Sequence, residues 1–263
     1  DFTTFIHELG HAIGLKHPHD SGGGSRPNFP GVTDPFGDYG DFNLNQGVYT
    51  MMGYNDGWQM APTGPLDPAV VSKYGYEGTP MAFDIAALQF LYGANPSYRM
   101  GNDVYTLPAG NTAGTFFSCL WDAGGVDTIR NPSVKSSTID LRPATLQHAA
   151  GGGGFTIANG VLIENAIGGG GTDTITGNWV SNVLIGNGGN DVLNGMGGAD
   201  RIIGGIGRDT LTGGAGADDF VYEAVNHSNS QIDVIKDFLH GVDDIDVAAI
   251  DVNGAAAGNA AFN

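Results

Sequence analysis

Three histidines and one glutamate are the residues of this sequence best placed to do chemistry. His7-Glu8-Leu9-Gly10-His11-Ala12-Ile13-Gly14-Leu15-Lys16-His17 reads H-E-x-x-H-x-x-G-x-x-H. On a helix, His7 and His11 project from one face, where two imidazoles can share a metal ion. Glu8 stands beside His7, placed to reach a water on that metal rather than the metal itself. Gly14 tolerates positive φ, so the chain can turn sharply there and bring His17 back as a third ligand. Three histidines with an open fourth position suit a catalytic zinc better than a structural one.

Two helices must carry and support this group. Phe2, Phe5, Ile6, Leu9 and Ile13 form an apolar stripe at helical spacing, which predicts a helix from Asp1 to about Leu15 with these side chains in the core. From His17 to about Tyr49 the chain is rich in Gly, Pro, Asn and Asp and reads as loop. Asp20, Asp34, Asp38 and Asp41 in that loop are either calcium ligands or, more commonly for such residues, solvated loop carboxylates. Asp67 to Gly78 is irregular. Pro80 to Asn95 reads as a second helix that buries Ile85, Ala87, Leu88 and Leu91 and ends at Gly93.

The zinc pattern resembles the metzincin metalloproteases. Pro18, directly after the third histidine, is similar to the serralysin branch, secreted bacterial proteases that carry calcium-binding repeats. Serralysins have a tight methionine turn of the form Ser-x-Met-Ser-Tyr beneath the zinc. Thr50-Met51-Met52-Gly53-Tyr54 resembles it, with Thr50 and Gly53 in place of the two serines. The resemblance makes Met52 the residue under the histidines, with Met51 as the alternative, and Tyr54 the tyrosine that reaches the metal. A thioether there packs on the imidazoles, and the phenol can donate a hydrogen bond to a developing oxyanion. The second helix, ending Tyr92-Gly93-Ala94-Asn95, resembles the one that closes the serralysin catalytic domain.

After Asn102 the pattern changes to short β-branched runs between turns, at Val104–Leu107, Thr128–Ile129, Thr138–Leu141, Phe155–Ile157 and Val161–Ile163. A repeat with a period of nine follows: Gly168–Thr176, Gly177–Ile185, Gly186–Asn194, Gly195–Ile203, Gly204–Thr212 and Gly213–Val221. Each block approximates G-G-x-G-x-D-x-U-x. The sixth position holds Asp173, Asn182, Asp191, Asp200, Asp209 and Asp218; the eighth holds Ile175, Leu184, Leu193, Ile202, Leu211 and Phe220. These blocks resemble the RTX nonapeptide repeats. A flexible glycine linker would not need an apolar residue every ninth position.

Glycines at Gly169, Gly171, Gly186, Gly188, Gly195, Gly197, Gly204, Gly205 and Gly207 let carbonyl oxygens converge, and Asp173, Asp191, Asp200, Asp209 and Asp218 add carboxylates. Such a flexible oxygen cage suits Ca²⁺ rather than Mg²⁺. Two blocks make one turn of a parallel β-roll, so blocks two apart stack. Asp173, Asp191 and Asp209 then line one edge, and Asn182, Asp200 and Asp218 the other. The second block has lost two glycines and its aspartate, so calcium there is expected to be weak or absent. Tyr222 to Asn263 holds further strand-like runs at Asp233–Phe238 and Asp243–Val247.

Composition agrees with this reading. The 28 acidic and 10 basic residues of the 263 give a formal charge of −18, which disfavours nucleic acid and anionic membranes as partners and favours calcium. The excess of glycine, 45 of 263 residues, has its local explanation in the repeats. Cys119 is alone, so no internal disulfide forms. No apolar run approaches the ~20 residues needed to span a membrane. The chain opens inside the metal helix and stops where serralysins continue to more strands and a secretion signal, so a fragment cut at both ends is expected.

The expected fold class is α+β: the helical zinc lobe of a metzincin catalytic domain (1–100), then an all-β parallel β-roll or sandwich (101–263). The resemblance implies a zinc endopeptidase acting on protein or peptide substrates, secreted to the extracellular medium by a type I route of a Gram-negative bacterium, and monomeric. In it, His7, His11 and His17 hold Zn²⁺, Glu8 takes a proton from the attacking water and passes it to the leaving amine, and Tyr54 steadies the oxyanion. The alternative is a calcium-binding RTX module with an inactive or vestigial zinc site. Metzincins build half their cleft from a sheet before the zinc helix, and this chain does not carry that sheet.

Overall fold

The computed structural model describes residues 2–20, 29–55, 77–108, 117–149, 154–224, 227 and 231–250. The expected irregular stretch 67–78 lies almost wholly outside them. The chain divides into two compact units: Asp1–Met100 with Gly110–Ala123 and Pro143–Val161, and Gly101–Ala109 with Gly124–Arg142 and Leu162–Asn263.

Among its described residues the first unit contains two α-helices, α1 (Phe2–Ala12) and α2 (Ala82–Tyr92). α1 ends in a Schellman turn: Leu15 N–H donates to Gly10 O at 2.9 Å and Gly14 N–H to His11 O at 3.0 Å. Gly14 sits at φ 98°, as the pattern requires. α2 ends at Gly93, also at positive φ, whose N–H returns to Gln89 O.

The two helices bury less than their apolar periodicity predicts. On α1 only Ile6 and Gly10 are buried, and Phe5 is 63% exposed, with Phe2 and Leu9 also open. On α2 the buried residues are Ala82 and Asp84; Ile85, Ala87 and Leu88 are half-buried and Leu91 is exposed. The described residues of this unit supply no layer over those faces. What α1 does cover is a small cluster of Ile6, Met51 and Met52, with Leu15 against it.

Fifteen short strands are found among the described residues. Before the repeats come β1 (Val104–Thr106), β2 (Ser118–Leu120), β3 (Thr128–Arg130), β4 (Ser137–Asp140), β5 (Leu146–Ala149), β6 (Gly154–Ile157) and β7 (Asn165–Ile167). Each block then gives one strand: β8 (Thr174–Thr176), β9 (Val183–Gly188), β10 (Val192–Asn194), β11 (Arg201–Ile206), β12 (Thr210–Thr212) and β13 (Asp219–Val221). β14 (Val234–Ile235) and β15 (Asp244–Asp246) follow. The run Val161–Ile163 is not a strand; Val161 and Ile163 are buried, but the ladder begins two residues later, at β7.

In the first unit β2 pairs parallel with β6 and β5 pairs antiparallel with β6. The second unit is a parallel roll. One sheet runs β1-β3-β7-β9-β11-β13-β15, and the strands β4-β8-β10-β12-β14 form the other wall. The register is that of a nine-residue repeat taken two blocks at a time, with Ile175 opposite Leu193 opposite Leu211 and Leu184 opposite Ile202 opposite Phe220.

From β3 to β13 these two walls turn one side chain of each strand inward, because alternate side chains fall on opposite faces, whereas Ile245 at the centre of the edge strand β15 is exposed. Ile129, Ala166, Leu184, Ile202 and Phe220 form one buried column and Ile139, Ile175, Leu193 and Leu211 the other. The columns therefore extend beyond the six repeats, into strands that lack the glycine signature.

Candidate metal centres

α1 presents His7 and His11 one turn apart, and the Schellman turn returns the chain so that His17 meets them. His7 Nε2 lies 3.1 Å and His11 Nε2 3.0 Å from His17 Nε2. Tyr54 Oη is 2.7 Å from the same nitrogen, its ring stacked on His7 with centroids 5.5 Å apart. The distal nitrogens are all engaged: His7 Nδ1–H donates to Met51 O at 2.8 Å, His11 Nδ1–H to Leu15 O at 3.0 Å, and His17 Nδ1–H to Asp20 Oδ2 at 2.7 Å. Those bonds set one tautomer for all three rings and leave three Nε2 lone pairs converging on one point. Such a donor set fits zinc, with Tyr54 beside it. Glu8 is exposed on α1, next to His7.

The floor of the site is the turn at Thr50–Gly53. Met51 and Met52 are both buried under α1, and a side chain at Gly10 would collide with the Met52 sulfur and the Met51 methyl. Glycine there lets the helix rest directly on the two thioethers, which a side chain would force to shift. The turn is tied to α2 by Asp84, a residue that sequence reasoning passed over when it gave that helix packing alone. Asp84 Oδ2 accepts from Met51 N–H at 2.7 Å and Met81 N–H at 2.9 Å, and Oδ1 accepts from the Thr50 hydroxyl at 2.7 Å. Burial pushes the Asp84 carboxyl up, and these three hydrogen bonds oppose that shift. Met51 thus gives its N–H to Asp84 and its carbonyl to His7, linking the α2 carboxylate to a metal-facing ring. The signal for it was an aspartate in the first turn of an apolar helix.

Asp20, Asp34 and Asp38 of the loop have local partners. Asp38 caps its own turn, accepting from Thr33 N–H, Asp34 N–H and Gly40 N–H, which hold its carboxyl down at about 2. Asp20 is bound to His17. Burial lowers the basicity of His17 and the Asp20 carboxylate raises it, with the net shift downward. A cavity of about 540 Å³ opens beside His17, lined by Pro18, Phe29 and, from α2, Phe83, Ala87 and Leu91.

In the roll, the sixth-position residues form two ladders. Asp173 N–H donates to Asp191 Oδ1, and Asp191 N–H to Asp209 Oδ1, at 2.7 and 2.9 Å. Asn182 N–H donates to Asp200 Oδ1, and Asp200 N–H to Asp218 Oδ1, at 2.8 and 3.0 Å. The ladders run past the repeats. Asp209 N–H reaches Asp233, Asp218 N–H reaches Asp243, Ser137 N–H reaches Asp173, Asp103 N–H reaches Asp127 and Asp127 N–H reaches Glu164. These outer members were missed because they lack the full G-G-x-G run, of which Asp103, Asp127 and Asp243 keep the last glycine at Gly101, Gly125 and Gly241. Their signal is the short D-x-U-x that survives at Asp103-Val104-Tyr105, Asp127-Thr128-Ile129, Asp233-Val234-Ile235 and Asp243-Asp244-Ile245.

The second oxygen decides which rungs suit a cation. Oδ2 of Asp191, Asp200, Asp209 and Asp218 is buried and has no hydrogen-bond partner among the described residues. Burial pushes Asp191 and Asp200 up to about 7 and raises Asp209 and Asp218. A Cβ added at Gly186 would strike Asp191 Oδ2 and Gly204 O, and one at Gly195 would strike Asp200 Oδ2 and Gly213 O. A carboxylate oxygen and a carbonyl from the next turn therefore face each other across bare backbone, a donor pair that fits Ca²⁺.

Gly169, Gly171, Gly204, Gly205 and Gly207 are likewise too close to neighbouring atoms for any side chain, whereas Gly188 and Gly197 have room for one. Asp173 is different: Oδ1 accepts from Ser137 and Oδ2 from Gly169 N–H at 2.6 Å. Asn182 is different too, its amide donating to Glu164 O and Asn178 Oδ1 while its oxygen accepts from Asn178 N–H.

Comparison with known proteins agrees with this architecture. The chain is 38% identical over 177 residues to a serralysin of Proteus mirabilis, covering 63% of this chain and 33% of that protein. It is 38% identical over 180 residues to a serralysin C of Dickeya chrysanthemi and 37% over 178 residues to the metalloprotease AprA of Pseudomonas entomophila, each covering 63% of this chain and 34% of the relative. The chain thus spans about a third of the length of the curated relatives it matches. The family described as Peptidase M10 serralysin C terminal matches residues 84–260, from α2 through the whole roll, and the chain belongs to that family.

Proposed function

We propose that this chain carries the zinc-binding lobe of a secreted metalloendopeptidase (1–100) followed by a calcium-stabilised β-roll (101–263). The observation that carries the first half is the convergence of His7, His11 and His17 through Nε2, with every Nδ1 engaged elsewhere. When bound, zinc supplies the Lewis acidity that lowers the pKa of water at the open position. Glu8 takes a proton from the attacking water and passes it to the leaving amine. Tyr54 donates a hydrogen bond from its hydroxyl to the oxyanion, a role supported by its 2.7 Å approach to His17 Nε2. Met52, with Met51, forms the apolar floor. The cavity beside His17 has room for a substrate side chain. Substrates are proteins or peptides, the chain acts as a monomer, and no helix among the described residues is long and apolar enough to cross a membrane.

In the roll, Asp191, Asp200, Asp209 and Asp218 are the calcium carboxylates, with glycyl carbonyls as their partners. Asp173 contributes least, since its oxygens are already satisfied, and the Asn182 amide fills the corresponding role at a level that takes no cation.

The test is hydrolysis of a quenched casein substrate by the chain with zinc and calcium, beside Glu8→Ala. Cleavage that disappears in the variant while zinc stays bound supports the mechanism; equal turnover in both rejects it. Binding of calcium and zinc with no cleavage by either protein favours the calcium-binding module with an inactive metal site.

A further inference from the structure

The three rings of the metal centre are not held alike. His7 and His11 sit on α1, where the helix restricts their rotamers, and their Nδ1–H groups meet neutral backbone carbonyls. His17 lies beyond the Schellman turn on a loop, and it is the only one of the three whose Nδ1–H meets a carboxylate, Asp20 Oδ2 at 2.7 Å. Asp20 is itself fixed. Its backbone N–H returns to His17 O at 3.2 Å, the Lys16 amine reaches its carbonyl, and its second oxygen lies 3.5 Å from His19 Nε2. His19 in turn stacks on His17, with centroids 5.1 Å apart and planes 13° apart.

We propose that Asp20 is the positioning residue of the metal centre, a carboxylate that orients His17 and holds its Nε2 lone pair toward zinc. A carboxylate on the far nitrogen of a metal-binding imidazole fixes the tautomer, limits ring rotation and makes the near nitrogen a better donor. The helix already supplies part of this for His7 and His11. The loop ligand depends on Asp20 for it, and the contact closes within four residues, so it forms locally. The inference rests on the zinc reading of His7, His11 and His17.

The experiment measures zinc affinity by competition with a chromophoric chelator, in the full chain with calcium present, for the parent, Asp20→Ala, Asp20→Asn and His11→Ala. Thermal melting of each metal-free protein is recorded alongside. Loss of an outer carboxylate of this kind costs about 10- to 100-fold in metal affinity, and that loss is expected for Asp20→Ala. Asp20→Asn keeps an oxygen that can accept from Nδ1–H and is expected to recover most of the affinity. The metal-free melting points are expected to agree.

If Asp20→Ala binds zinc as tightly as the parent while His11→Ala does not bind, the role of Asp20 is refuted and the zinc reading stands. Equal weakening of both Asp20 variants, with equally lowered metal-free melting, makes Asp20 a loop staple and also refutes it. Parent-like binding by His11→Ala refutes the zinc reading itself.

Discussion

Removing calcium from the roll should make its stability fall as pH rises. Asp191 and Asp200 carry buried Oδ2 atoms without hydrogen-bond partners among the described residues, and both carboxyls are held up at about 7 against an ordinary value of 3.8. A raised folded-state value means that the folded chain binds more protons than the unfolded one between those limits. Stability is therefore greatest in acid and is lost as pH rises toward the folded value, levelling off above it. Between about pH 5 and about pH 8 linkage gives nearly 3 kcal/mol per carboxyl; solvent screening roughly halves it, leaving about 2–3 kcal/mol for the pair. Asp209 and Asp218 shift in the same direction and add to the effect. The assay is urea unfolding of the chelator-treated chain across that range, followed by far-UV circular dichroism. With calcium saturating, the trend should reverse, because protons and calcium compete for the same oxygens. A calcium-free roll that gains stability with rising pH, or circular dichroism that a chelator leaves unchanged, would refute the assignment of these carboxylates.

Two further outcomes follow from the packing. Asp84→Ala leaves the Met51 and Met81 N–H groups and the Thr50 hydroxyl without their acceptor, so the metal-free chain should lose about 3 kcal/mol in chemical unfolding, and zinc affinity should fall through His7. Leu193→Ala empties the centre of a column between Ile175 and Leu211 and should cost about 2–5 kcal/mol with calcium present, read from the unfolding midpoint.

What was legible in the sequence depended on how local its cause was. The H-E-x-x-H spacing, the Gly14 turn and the nine-residue period are set by helix geometry and by strand alternation, and the structure places them where those rules put them. The strand centres Ile175 through Phe220 are buried in the expected register for the same reason. Non-local causes were not legible. The stripe of Phe2, Phe5 and Leu9 has helical spacing, but burial needs a second surface, and none among the described residues of that unit covers it. Asp84 sits unremarked in an apolar helix, and only the fold shows its carboxylate beneath the methionine turn. Asp20 looked like one loop carboxylate among four until the Gly14 turn brought His17 back beside it. The ladders at Asp103, Asp127, Glu164, Asp233 and Asp243 were hidden because strand pairing, rather than a repeat, carries them into line.

Zinc ligation by His7, His11 and His17 is read by X-ray absorption at the zinc edge on the chain loaded with one equivalent of zinc, beside the His7→Ala, His11→Ala and His17→Ala variants. An imidazole-rich nitrogen and oxygen shell is expected in the parent, with one imidazole fewer or no bound zinc in each variant. A shell without imidazole scattering, or zinc binding unaffected by all three substitutions, would contradict that ligation.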